Sequence, residues 1–125
     1  MELVEFLLER DLQAKKRITI SGELKDFQIE IKPINATQWE SARRKCVVAK
    51  KDRVEINQVM LNKLIVLDGC AYPNFREPSL LQRANVTLPV DLLDKVLKPG
   101  EIEKIAEAIL DYSGFGEELD DIPKK

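Results

Sequence analysis

The chain has 125 residues, 44% apolar and 34% charged, with a formal charge of −2. This is one domain's length with enough apolar residues for a core, and it is neither a polybasic nucleic-acid binder nor a disordered acidic chain. Histidine is absent and cysteine occurs twice, which removes the commonest general base, the Ser-His and Cys-His pairs and the usual structural zinc set.

Residues 2–10, "ELVEFLLER", place Leu3, Phe6 and Leu7 at helical spacing and predict a short helix with an apolar stripe. The period then changes to two. Ile18 and Ile20 alternate with polar neighbours in "RITISG", and Phe27, Ile29 and Ile31 do so in "FQIEIKPI". These runs predict a β-hairpin over about 17–32 with one buried face, Gly22 supplying a positive-φ turn position and Pro33 ending the second strand.

A helical part over about 37–113 follows. Thr37 and Glu40 have capping-box spacing, and Trp39, Ala42, Cys46 and Ala49 make an inward stripe. "KKDRVE" reads as a polar break, with Asn57 capping the apolar "QVMLNKLIVLD" and Gly69 ending it in a left-handed conformation. "CAYPNFREP" reads as a loop anchored by Tyr72 and Phe75. Pro78 opens "PSLLQRA", which Asn85 stops, and Thr87 caps "LPVDLLDKVL" with Leu88, Leu92, Leu93 and Val96 inward. Pro99 begins the last helix, where Ile102, Ile105, Ala106 and Ile109 form one face. Gly114 stops it, with Phe115 folding back on Leu110. The residues 117–125, "EELDDIPKK", read as a flexible acidic tail behind a single globular domain at 1–116.

The fold class expected is therefore α+β, mostly α: a bundle of about five or six helices with one N-terminal β-hairpin. Little in it carries chemistry. The glycines of "SGFG" make a helix stop rather than a ligand loop, and the usual phosphate-loop patterns are missing. No residue stands out as catalytic, cofactor-binding or metal-ligating, so the expectation is a protein that is not an enzyme and needs no cofactor. The start, "MELVEFLLERD", is acidic rather than basic and does not read as a signal peptide, and no apolar run is long enough for a bilayer. These features predict a cytoplasmic protein, with Cys46 and Cys70 as reduced, packed thiols. Arg43, Arg44, Lys45, Lys50, Lys51 and Arg53 form a basic stretch. It supports the alternative of a small nucleic-acid-binding or regulatory protein, although it lacks interleaved aromatics and reads first as a solvated face.

The order of a short apolar helix, a hairpin ending "IKPI", "TQWE" opening a helix, then "YPNF" at Tyr72–Phe75 and "LKPGEI…SGFGEEL" at Leu97–Leu119 resembles the XkdN-like phage tail assembly chaperones. These occur in tailed phages and prophage-like elements of Gram-positive bacteria. Asn85 stands where the family pattern leads one to expect glycine, and asparagine tolerates the same left-handed conformation. The resemblance implies a non-catalytic chaperone in the cytoplasm of the bacterial host, absent from the mature virion. It would bind the tape measure protein, keep it soluble and assist assembly of tail tube protein around it. A frameshifted longer form of the chain and a homo-oligomer, built as an open head-to-tail assembly, are implied as further partners, with no membrane and no nucleic acid. The partner-binding residues expected are Leu3, Phe6, Leu7, Trp39, Phe115 and Leu119.

Overall fold

The helix at Gln58–Gly69 is apolar around most of its circumference, and such a helix is stable only when other elements surround it. In the computed structural model, which describes residues 2–116, that is its position. In chain order the elements are α1 (Leu3–Glu9), β1 (Lys16–Ile18), β2 (Ile29–Ile31), α2 (Ala36–Lys45), β3 (Val47–Ala49), β4 (Val54–Ile56), α3 (Gln58–Gly69), β5 (Cys70–Tyr72), α4 (Pro78–Arg83), α5 (Pro89–Val96) and α6 (Pro99–Tyr112). Helix α3 packs on α6 along most of its length, and on α2, α5 and β5 with its other sides. Ile65 and Val66 of α3, Leu92 and Leu93 of α5, and Ile105 and Ile109 of α6 are fully buried together.

Local chemistry places the helix ends. Asn57 caps α3 by accepting from the Met60 N–H at 3.1 Å. Pro78, Pro89 and Pro99 each occupy a first helical turn, where the missing N–H costs nothing. At the end of α6 Gly114 has φ +100°, the Phe115 N–H donates to the Leu110 carbonyl at 3.0 Å, and the Gly114 N–H donates to the Asp111 carbonyl at 3.1 Å. At the end of α4 Asn85 does the same with φ +60°, and the Val86 N–H reaches the Leu81 carbonyl at 3.0 Å. Both are left-handed stops that satisfy otherwise orphaned carbonyls.

The expected fold class needs correction: one N-terminal hairpin on a helical bundle gives way to six helices with two small sheets among the described residues. Strands β1 and β2 do pair antiparallel, Arg17 opposite Glu30, but they are short and joined by a long loop rather than a tight turn. Phe27, expected on the buried face, lies in that loop and is 64% exposed. The hairpin is also not alone. The segment read as the loop "CAYPNF" begins as β5, which pairs antiparallel with β2 and makes a three-stranded sheet in the order β1-β2-β5. An unpaired strand edge demands hydrogen-bond partners, and three residues after α3 supply them.

The second sheet replaces a stretch of expected helix. Helix α2 is capped two residues earlier than Thr37, by a reciprocal pair in which Asn35 and Gln38 side chains each accept from the other's backbone N–H at 2.8 and 2.9 Å. It stops at Lys45, and the β-branched Val47 and Val48 enter β3, paired with β4 through the turn at 50–53. Gly69 ends α3 without a left-handed φ; its role is close approach to Ile109. In α5 only Leu92 and Leu93 are buried, while Leu88 and Val96 are 54% and 50% exposed, because Leu88 precedes the helix and Val96 faces outward. The acidic tail expected at 117–125 lies outside the described residues.

Candidate functional site

Helix α1 presents the residues first singled out for binding. It buries none of its side chains: Leu3, Phe6 and Leu7 are 70, 49 and 46% exposed, and their neighbours Val4 and Leu8 are as open. At 100° per residue the apolar side chains cover more than half of its circumference, and Glu5 and Glu9 share the remaining stripe. The Arg10 guanidinium lies 5.9 Å from the Phe6 ring centre. The chain leaving α1 is held firmly. The Tyr112 hydroxyl donates to the Ala14 carbonyl at 2.8 Å, and Arg10, Asp11 and Leu12 line a cleft of about 460 Å³ with Ile34, Ala36 and Gly114.

The other two described candidates come together. The rings of Trp39 and Phe115 lie 4.7 Å apart, centre to centre, tilted by 53°, a geometry in which aromatic quadrupoles attract. After the left-handed turn at Gly114, Phe115 lies against Trp39 and is 53% exposed. The Arg43 guanidinium sits 5.6 Å from the Trp39 ring. Val47 and Ile56, opposite one another in the β3–β4 hairpin, line the same shallow depression as Trp39, Arg43 and Arg44. The result is an apolar patch bordered by Arg43, Arg44 and Glu40. Leu119 lies outside the described residues.

The basic stretch is divided by the fold. Arg43, Arg44 and Lys45 occupy the last turn of α2, where cations suit the helix dipole. Lys50, Lys51 and Arg53 sit at the hairpin turn. Arg44 pairs with Glu40 at 2.5 Å and Arg53 with Glu55 at 2.7 Å, while Arg43, Lys45, Lys50 and Lys51 form no ion pair among the described residues. Val47 and Ile56 were missed by reading that region as helix and break. The available signal was two β-branched runs, "VVA" and "VEI", flanking the polar "KKDR".

Cys46 and Cys70 are buried free thiols. Burial pushes the Cys70 thiol up to about 12 and raises Cys46 as well, the neighbouring Lys45 charge opposing only part of that rise. Both are inert at neutral pH. Among the described residues no three cysteines or carboxylates gather as a metal site requires, and no helix is long and apolar enough to cross a membrane.

A family model described as phage XkdN-like tail assembly chaperone protein matches residues 3–124. A comparison with curated proteins finds no match. Among solved structures the chain is similar to the crystal structure of the protein yqbn, with a TM-score of 0.68 and 15% identity over 92% of this chain and 98% of that one. At that identity the likeness shows a shared fold.

Proposed function

The chain belongs to the family of phage XkdN-like tail assembly chaperones, and on that premise we propose that it acts by binding the tape measure protein, without a catalytic step. It works in the cytoplasm of the host, keeping the tape measure soluble while tail tube subunits assemble around it. The observation that carries this reading is the amount of apolar surface left open at two places, α1 and the Trp39–Phe115 patch, on a molecule whose core is otherwise closed. Exposed apolar side chains set among charges are what helix-in-groove recognition uses, and exposed aromatics are the side chains that most often anchor such contacts. The continuous core from Ile20 to Ile109 supports treating residues 1–116 as the unit that folds and binds. The nucleic-acid alternative has less support, because the basic residues are split between two elements and partly neutralised.

Co-expression with a tape measure protein, followed by affinity capture, tests the reading. The expected result is a recovered complex and a larger soluble fraction of tape measure, with Phe115→Asp lowering recovery by about tenfold, the equivalent of roughly 1.4 kcal/mol. No complex and no gain in solubility overturns it.

A further inference from the structure

We propose that the cleft where Lys15, Lys32 and Arg76 meet is a binding site for an acidic segment of a partner protein, held through its carboxylates. The cleft, of about 420 Å³, is lined from the end of the three-stranded sheet and from the loop before α4. Two of its cations oppose each other. The β1–β2 register sets Lys16 opposite Ile31 and Arg17 opposite Glu30, and one step further along it sets Lys15 opposite Lys32. Arg17 has the Glu30 carboxylate at 3.6 Å, whereas Lys15 and Lys32 have no carboxylate among the described residues. Like charges directly opposite across two strands are destabilising, so an anion set between them relieves a cost that the free chain carries.

The rest of the lining offers donors and keeps its acceptors occupied. The Gln38 side-chain oxygen accepts from the Asn35 N–H at 2.9 Å, and the Asn74 side-chain oxygen accepts from the Arg76 N–H at 3.1 Å. Each amide keeps its NH2 group for a ligand. Asp68 is the one carboxylate in the lining among the described residues, and it already accepts from the Arg76 guanidinium at 2.8 Å. The Arg76 Nε–H also donates to the Leu67 carbonyl at 3.4 Å, so the guanidinium is held in place before any ligand arrives. Lys15, Lys32 and Arg76 against Asp68 leave an excess of positive charge facing the cleft.

The shape selects a chain rather than a single anion. A second hollow, of about 230 Å³, shares Gln38, Asp68 and Arg76 with the first and adds Lys45 with the hydroxyls of Thr37 and Ser41. The cations are thus spread along two joined hollows, as carboxylates are spread along a peptide, and not gathered around one point, as a lone phosphate needs. No aromatic side chain among the described residues lines either hollow, so single-stranded nucleic acid finds no stacking surface there. Neither hollow shares a lining residue with the Trp39 depression or with the cleft at Arg10–Leu12.

The probe is hexaglutamate carrying a fluorescent label, titrated with the full chain at about 0.15 M salt and read by anisotropy. Binding is expected, and it weakens as salt rises. Lys15→Gln with Lys32→Gln should weaken it at least about tenfold. Lys25→Gln with Lys104→Gln, the same loss of charge at exposed positions outside the cleft, should leave it unchanged. The variant lacking both cleft lysines should also melt about 1–4 °C higher than wild type, because the opposed charges are gone. Inorganic phosphate at matched ionic strength should not displace the probe, and labelled hexathymidylate should bind more weakly. No binding, an equal loss in the two double variants, a lower melting point without the cleft lysines, displacement by phosphate, or hexathymidylate bound as tightly as hexaglutamate each overturns the proposal. No tape measure protein is present in these measurements, so their outcome is independent of the chaperone reading.

Discussion

Of the glycines in the fold, Gly69 has the least room for a side chain. A Cβ built there would lie 2.4 Å from Cγ2 and 2.9 Å from Cδ1 of Ile109, a side chain with no exposed surface and no room to turn aside. Gly69→Ala should cost about 1–3 kcal/mol through overpacking, and chemical denaturation will read it as a lower midpoint with unchanged slope. Cys70 makes a different prediction. Its thiol stays protonated in the folded chain up to about 12, while the unfolded chain releases that proton near the ordinary value of 9.0. The unfolded state therefore binds fewer protons in that window, and stability falls as pH rises from about 9 toward 12, by up to about 1.4 kcal/mol per pH unit. Denaturation of wild type and Cys70→Ala at pH 8 and pH 10.5 should show the variant's deficit shrinking at the higher pH.

Among the elements, α1 and α5 are opposites. Removing residues 2–9 deletes a helix that buries nothing, and the thermal midpoint of a dilute sample should stay where it was. Leu92→Ala, in a helix of similar length, opens a cavity at the centre of the core and should cost about 2–5 kcal/mol by denaturant titration. The same contrast explains what could be read from the sequence. Helix α6 was legible because its signals are local: Pro99 at the start, isoleucines at helical spacing, Gly114 at the stop. Asn85 was legible for the same reason. Strand β5 was not, because three residues are too few to show alternation, and "CAY" becomes a strand only when the edge of β2 arrives beside it. Val47 and Val48 were misread because the basic "RRK" before them suits a helix, while their own branching favours the hairpin that the structure adopts. The candidate patch was half legible. Trp39 and Phe115 were each identifiable as candidate partner-binding aromatics, but their contact depends on tertiary packing that no spacing encodes.

For the whole molecule, the last turn of α6 acts as a junction. The Tyr112 hydroxyl holds the Ala14 carbonyl, and the Ser113 hydroxyl accepts from the Ile34 N–H at 3.0 Å while donating to the Ile109 carbonyl at 2.6 Å. The segments before β1 and after β2 are thus both tied to the end of the last helix. Tyr112→Phe and Ser113→Ala should each cost about 0.5–1.5 kcal/mol. Native-state hydrogen exchange should show the Ile34 amide losing protection in Ser113→Ala but not in Tyr112→Phe.

This junction also sets a timetable. A ribosome makes Ala14 and Ile34 early and Tyr112 and Ser113 late, at roughly 5–20 residues per second. Until the late pair emerges, α3 lacks the helix that covers its longest side, and the strands at the other end of the chain lack their fastening. The newborn polypeptide therefore leaves α3 uncovered until α6 has been made, and its fold closes only then.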